Sequence, residues 1–391
     1  MGFDRPQASV LPPAENGTAR KLYLRREPAS LAVLLLLSIV SFLAVGGLSR
    51  AYHAQQKSLG DRWYARGVAD LQGQRFDRAV NEFRTALRYD RDDYSYQLNL
   101  AEALIGQKRA GEASAYLLNL WEREPENGQV NLELARIAAS NRQTDQVLRY
   151  YHNAIYATWP GDEEVQRREA RLELIQYLLA IHSKEQAQSE LIALAANLNG
   201  DPAEHLRAAE LFFQTQDYEH ALAEYRASLR LDRHNAIALA GAGQAAFELG
   251  RYEIARRYLQ SAVAADSSDS QSATLLKTTE SVIQLDPFQS RLSSKARNRV
   301  VIEAFSIAGD RLSACPSLKT TAQGHDGPFL SDRWEKLKNR INEPWLRRDP
   351  DLAGEAMDLV FSIERQAAAA CGPPTGKDQA LLLISKLHEG I

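Results

Sequence analysis

The strings in this chain that could carry chemistry are few, and each lacks something the chemistry requires. "GPPTGKD", Gly372 to Asp378, approaches a phosphate loop. It is one residue short, and it puts Asp378 where Ser or Thr must reach magnesium. No strand-forming stretch precedes it. "GAGQAAFELG" holds Gly241 and Gly243, yet a dinucleotide site needs a strand before it, and here the surrounding period is helical. The eight histidines show no H-E-x-x-H or paired spacing. His325 and Asp326 share a Gly-rich loop and read as solvated loop residues. The two cysteines, Cys315 and Cys371, form no C-x-x-C, so no thiol zinc site is encoded. The expectation is a non-catalytic protein without metal, cofactor or small-molecule substrate.

Charge adds little. A net charge of −3 gives no field for nucleic acid. The basic string "RWEKLKNRINEPWLRR" sits in a region, 291–391, with 15 Lys/Arg against 13 Asp/Glu, a mixed surface with Trp334 and Trp345 expected in a core. Nucleic acid is not an expected partner.

One segment departs from this soluble background. "LAVLLLLSIVSFLAVGGL", 31–48, carries no charge. Its 18 residues, at about 1.5 Å each, approach the ~30 Å of a hydrocarbon core. It reads as a transmembrane helix left uncleaved, with a signal sequence as the alternative because Ala44 and Gly46 suit a peptidase. Arg20, Lys21, Arg25 and Arg26 precede it, while Arg50, Lys57 and Arg62 follow. That bias favours a cytoplasmic N-terminus and the bulk of the chain on the outer, periplasmic or extracellular, side. Residues 1–30 are expected as a disordered cytoplasmic tail and 49–59 as a linker.

What positions the remaining residues is a repeat. Trp63, Gly67, Ala79, Phe83 and Ala86 make sense as two antiparallel helices joined by a tight turn, with small residues where the helices meet. A step of 34 residues reaches Ala113, Leu117 and Leu120, and another reaches Val147, Tyr151 and Ala154. The phase then slips by six residues, "DEEVQR", where Asp162 reads as a helix N-cap, and resumes at Ala187, Leu191 and Leu194. Tyr218, Ala221 and Tyr225 follow, then Gly243, Tyr252, Ala255 and Leu259. Six units result: 60–93, 94–127, 128–161, 168–201, 202–235 and 236–269.

The period and the W…G…A…F…A…P spacing resemble the tetratricopeptide repeat family. The resemblance implies an all-α fold, a right-handed superhelix (solenoid) over 60–269. A capping helix is expected over 270–290 and a small helical domain over 291–391. It also implies that the first helix of each unit lines a concave groove for other proteins or peptides. The first three units would contribute Tyr64 and Leu71, then Leu98, Glu102 and Ile105, then Leu132 and Arg136. The last three would contribute Gln176 and Leu179, Glu210 and Phe213, and Gln244 and Phe247. Several of these could equally be packed between helices. The clustered Lys and Asn with which some relatives hold acidic chaperone C-termini are replaced by residues such as Asp61, Ser95 and Val68.

In the tail, Cys315 and Cys371 each end a helix-forming stretch, so they are expected either as a disulfide or as two separate buried thiols. The functional expectation is a membrane-anchored scaffold that gathers proteins in envelope assembly, secretion or quality control. The alternative is a cytoplasm-facing adaptor that delivers a client to a membrane enzyme.

Overall fold

The computed structural model describes residues 17–198, 200–320 and 330–388. Among them the secondary structure is helical apart from one isolated bridge. The chain forms two compact bodies, Met1–Ala170 and Arg171–Ile391.

The first body opens on α1 (Gly17–Gln72), one helix of 56 residues. Its stretch Ser30–Gln72 holds an 18-residue window of mean hydropathy 2.6, none of it buried, and so is long and apolar enough to cross a membrane. The expected linker over 49–59 is not a break, because those residues are helical. The segment holds no Gly, Pro or β-branched residue, and Ala51, Ala54, Gln55, Gln56 and Lys57 are strong helix formers. Of the expected disordered tail, 17–30 also belongs to α1, and 1–16 lies outside the described residues.

The end of α1 pairs with α2 (Phe76–Ala86). Next come α3 (Tyr94–Gly106) with α4 (Ala110–Arg123), and α5 (Gly128–Ser140) with α6 (Thr144–Ile155). Each pair packs on the next. After α7 (Glu163–Ala180) and α8 (Lys184–Ala195), the second body continues in the same way. There α9 (Pro202–Gln214) pairs with α10 (Tyr218–Leu231), and α11 (Ala236–Glu248) with α12 (Tyr252–Ala265).

Two local devices set this rhythm. Asp93, Asn127, Asp201 and Asn235 each cap the first helix of a unit by accepting a backbone N–H bond. The turn inside each unit places one residue in the left-handed region: Gln74, Lys108, Arg142, His182, Gln216 and Gly250. The next residue donates its N–H five residues back, from Arg75 to Asp70 at 2.8 Å and from Arg251 to Ala246 at 2.8 Å, a Schellman closure. These positions are 34 apart except across the slip, where Arg142 and His182 are 40 apart.

The slip has a structural reason. Tyr156–Asp162 returns to the loop before α5, where Gly128 donates to the Thr158 carbonyl at 3.1 Å and Thr158 to that of Glu126 at 3.1 Å. Trp159 covers Gly128, and its indole N–H donates to the Ala154 carbonyl at 2.8 Å. Its side chain is 7% exposed, so this loop closes over the third pair with a large apolar group.

Beyond α12 lies α13 (Ser270–Leu285), the expected cap, packed on α11 and α12. The tail adds α14 (Ser294–Ala314), α15 (Ser317–Thr320) and α16 (Leu330–Lys338), then α17 (Glu343–Arg348), α18 (Asp351–Cys371) and α19 (Gly376–Leu387). Helices α16 and α17 are separated at Asn339–Asn342, because Asn342 caps α17 and Pro344 fits its first turn. The boundary drawn at 291 does not divide cores. Tyr252, Val282 and Leu285 share one apolar cluster with Val301, Phe305, Leu359 and Ile384 of the tail.

Candidate binding faces of the repeats

One position of each first helix and one of each second helix recur at a separation of 16 residues, Gly67/Phe83, Ala101/Leu117, Ala135/Tyr151, Ile175/Leu191, Ala209/Tyr225 and Gly243/Leu259, and all of them are buried. A Cβ at Gly67 would lie 2.5 Å from Phe83 Cε1, and one at Gly243 2.7 Å from Leu259 Cγ. That contact fixes which side of each first helix faces its own partner, and therefore which side is left over.

Of the expected groove positions two are buried and the others are half-buried or exposed. Leu98 and Leu132 are buried, at 7% and 6% exposure. Side chains so enclosed are removed from the candidate surface. Leu71, Ile105, Leu179, Phe213 and Phe247 fall at one repeat position, and all are half-buried. One turn before Ile105, Leu179, Phe213 and Phe247 stand Glu102, Gln176, Glu210 and Gln244, exposed or half-exposed, while Val68 precedes Leu71 and the exposed Arg136 precedes Ala139. Four of the six units thus offer a large apolar group with a polar one beside it.

In the first body this side is polar and tightly bonded. Tyr64 stacks on Tyr96 at 5.1 Å, and its hydroxyl accepts from Asn99 Nδ2 at 3.2 Å. The Tyr96 hydroxyl donates to Asp61 at 2.6 Å. Glu102 accepts from the Gln129 amide, and Arg136 pairs with Glu133 at 2.5 Å. Burial, followed by the charge of Glu133, pushes the Glu102 carboxyl above its ordinary range.

In the second body it is aromatic. Phe213 meets Tyr218 edge-on at 5.1 Å, and Phe247 meets Tyr252 edge-on at 5.4 Å. Phe213 packs against the repeat core. Phe247 packs against that core and also against the cluster shared with the tail. Burial, with Glu210 adding to it, pushes the Tyr225 hydroxyl up to about 12. Both tyrosines open a second helix five residues after the phenylalanine, and the sequence marks them as repeat positions without pairing them with those rings.

The strings considered for chemistry have structural roles here. The Tyr225 ring lies over Gly241, where a Cβ would fall 2.3 Å from Cζ. Gly376 opens α19, and Lys377 is bonded to Glu303 at 2.6 Å. His325 and Asp326 lie outside the described residues. Among the described residues no three His, Cys, Asp or Glu side chains gather to hold a metal. Cys315 and Cys371 are joined in a disulfide, with their Cα atoms 5.9 Å apart. Trp334 stacks on Phe305 at 5.5 Å. Trp345, expected in a core, is 44% exposed, because the face of α17 turned inward carries Leu346 instead.

The family described as tetratricopeptide repeat matches residues 70–137 and 212–277. No curated protein sequence matches the chain. Among solved structures, the C-terminal part of a TPR repeat-containing protein from Cytophaga hutchinsonii is 9% identical. The alignment covers 61% of this chain and 92% of that one, with a TM-score of 0.43. PilF from Pseudomonas aeruginosa is 15% identical over 56% of this chain and 97% of its own, at 0.39. YrrB, described as a TPR protein with an unusual peptide-binding site, is 15% identical over 49% and 95%, at 0.38. At such scores these likenesses carry no statement about function. The family match, the repeat period and the paired helices together make the stretches 70–137 and 212–277 tetratricopeptide repeats.

Proposed function

We propose that the chain is a membrane-anchored, non-catalytic scaffold that holds protein or peptide segments along the first helices of its repeats. The observation that carries this reading is the recurring half-buried apolar residue with a polar neighbour one turn before it, as in Glu210/Phe213 and Gln244/Phe247. Such a surface suits an extended segment or a helix, with apolar anchors for affinity and polar groups for register. The apolar window of α1 supplies the anchor. The basic residues before it favour a cytoplasmic N-terminus. The Cys315–Cys371 disulfide supports placing the repeats in an oxidising outer compartment. Assembly, secretion or quality control of envelope proteins is the role that fits this placement.

Photo-crosslinking side chains placed at Gln176, Glu210 and Gln244 in intact cells test the proposal. A discrete crosslinked protein from these positions, and none from the exposed Glu185, Glu219 and Glu253 on second helices, is the expected result. Equal crosslinking from both sets would remove the first-helix face as the site. A reporter fused after Ile391 tests the orientation. Activity of a cytoplasm-dependent reporter would replace the outer scaffold with a cytoplasm-facing adaptor.

A further inference from the structure

Three tail helices meet around a carboxyl group that the repeats do not use. Glu364, on α18, is fully buried, and neither of its oxygens has a hydrogen-bond partner. A carboxyl in that setting is far more costly as an ion than as a neutral acid. The charges acting on it come from α14, which brings Arg311, and from the first turn of α19, which brings Asp378. Asp310 of α14 acts in turn on Asp378. The neighbouring cations are engaged elsewhere: Arg365 with Ser385 Oγ at 3.2 Å, and Lys377 with Glu303 at 2.6 Å. One guanidinium therefore serves two acids. With Glu364 and Asp378 both ionised, Arg311 balances only one of them, and with one proton on the pair it balances the charge that remains.

The same corner holds one end of α19. The Cys315–Cys371 bond joins the ends of α14 and α18, one turn past Arg311 and about two turns past Glu364. Arg311 Nη2 donates to the carbonyl of Gly372 at 2.9 Å, and Gly372–Thr375 leads directly into α19. The far end of α19 rests on the repeats. Leu387 lies against Gly250, where a Cβ would come within 2.9 Å of its Cδ1, and His388 Nε2 is 3.3 Å from Asp286 Oδ1. Between these ends α19 packs on α13. Burial pushes the Glu364 carboxyl up to about 8, Asp378 acting in the same direction and Arg311 against it. In an unfolded or undocked helix this group ionises near 4.5, so docking takes up a proton between these two values. Docking is strongest below pH 4.5 and weakens as pH rises through that window, leaving a buried ion above it.

We propose that the corner formed by Glu364, Asp378 and Arg311 is a proton-operated latch, in which a proton on Glu364 keeps α19 docked on α13 and the last repeat, and its loss releases α19. Release would uncover Val282, Leu285 and the cluster against which Phe247 packs, so the aromatic end of the repeat face would respond to pH.

Hydrogen–deuterium exchange of the full-length protein in detergent, at pH 6.5 and pH 9 with intrinsic rates corrected, tests this. Peptides covering 376–387 are expected to lose at least about 10-fold of their protection at pH 9, while those from α9 and α10 stay unchanged. Glu364→Gln, which is neutral at both values, should keep α19 equally protected at each. Asp378→Asn leaves Arg311 to Glu364 alone and should shrink the loss. Unchanged wild-type protection at pH 9 would overturn the latch. So would a loss in Glu364→Gln equal to that of the wild type. Should Glu364→Gln not fold, an undiminished loss in Asp378→Asn overturns it instead.

Discussion

The ring of Phe83 occupies the space that any side chain at residue 67 would need, since a Cβ on Gly67 would lie 2.5, 2.7 and 2.9 Å from three of its carbons. Glycine at 67 and the aromatic at 83 are therefore one decision. Gly67→Ala should destabilise the first body by roughly 1–3 kcal/mol through overpacking. Phe83→Leu placed in the same chain should recover much of that loss, because the second unit has Ala101 and Leu117 at the equivalent positions with both residues buried. Denaturant unfolding of the two single variants and the double variant gives the coupling. Additive losses would contradict the pairing.

The left-handed turn residue makes a second, asymmetric expectation. Gly250 has φ of +69°, and a Cβ there would also meet Leu387 at 2.9 Å, so Gly250→Ala should cost about 1–2 kcal/mol. Lys108 holds φ of +62° with a side chain. Lys108→Gly should be neutral or stabilising by up to ~1 kcal/mol, relief of the backbone being offset by a more flexible unfolded chain. Shifts in thermal midpoint of the two variants should have opposite or unequal sign. A clear loss in Lys108→Gly would show that its side chain matters more than its backbone.

Cys315 and Cys371, 56 residues apart, cross-link the ends of α14 and α18. The chain-entropy account gives about 4 kcal/mol as the upper value for a loop of that length. A Cys315→Ala, Cys371→Ser double variant should lose stability in the tail helices and leave α9 and α10 little affected, measured by exchange protection of each region. Thiol titration of the unfolded, unreduced protein should find neither cysteine free. Two titratable thiols would remove the bridge.

Phe213 and Phe247 should separate binding from stability. Both are half-buried, but Phe247 also packs against the cluster shared with the tail. Phe213→Ala is expected to cost roughly 1–2 kcal/mol of stability, below the value for a fully buried ring. It should weaken partner capture by about 30-fold, or ~2 kcal/mol. Phe247→Ala should cost more stability for a similar loss of capture. Melting curves beside pull-down distinguish these effects. Full capture by a folded double variant would move the binding site away from these rings.

What the sequence determined by itself is whatever repeats locally. Helix pairs, their period and the six-residue slip follow from Ala79, Ala113, Ala187, Ala221 and Ala255 at fixed spacing, because a helix places residues on a face by counting. The apolar window of α1 is legible for the same reason. Five of the six left-handed turn residues are not glycine, so composition hides a feature that the backbone repeats without fail. Tertiary structure alone decided which first-helix residues are spare. Leu98 and Glu102 are one turn apart on α3, yet the neighbouring helix buries one and leaves the other half-open. It also decided that α13 shares its core with the tail, and that Glu364 is shut among three helices. Burial depends on what distant segments bring to a side chain, and no spacing within one helix encodes that.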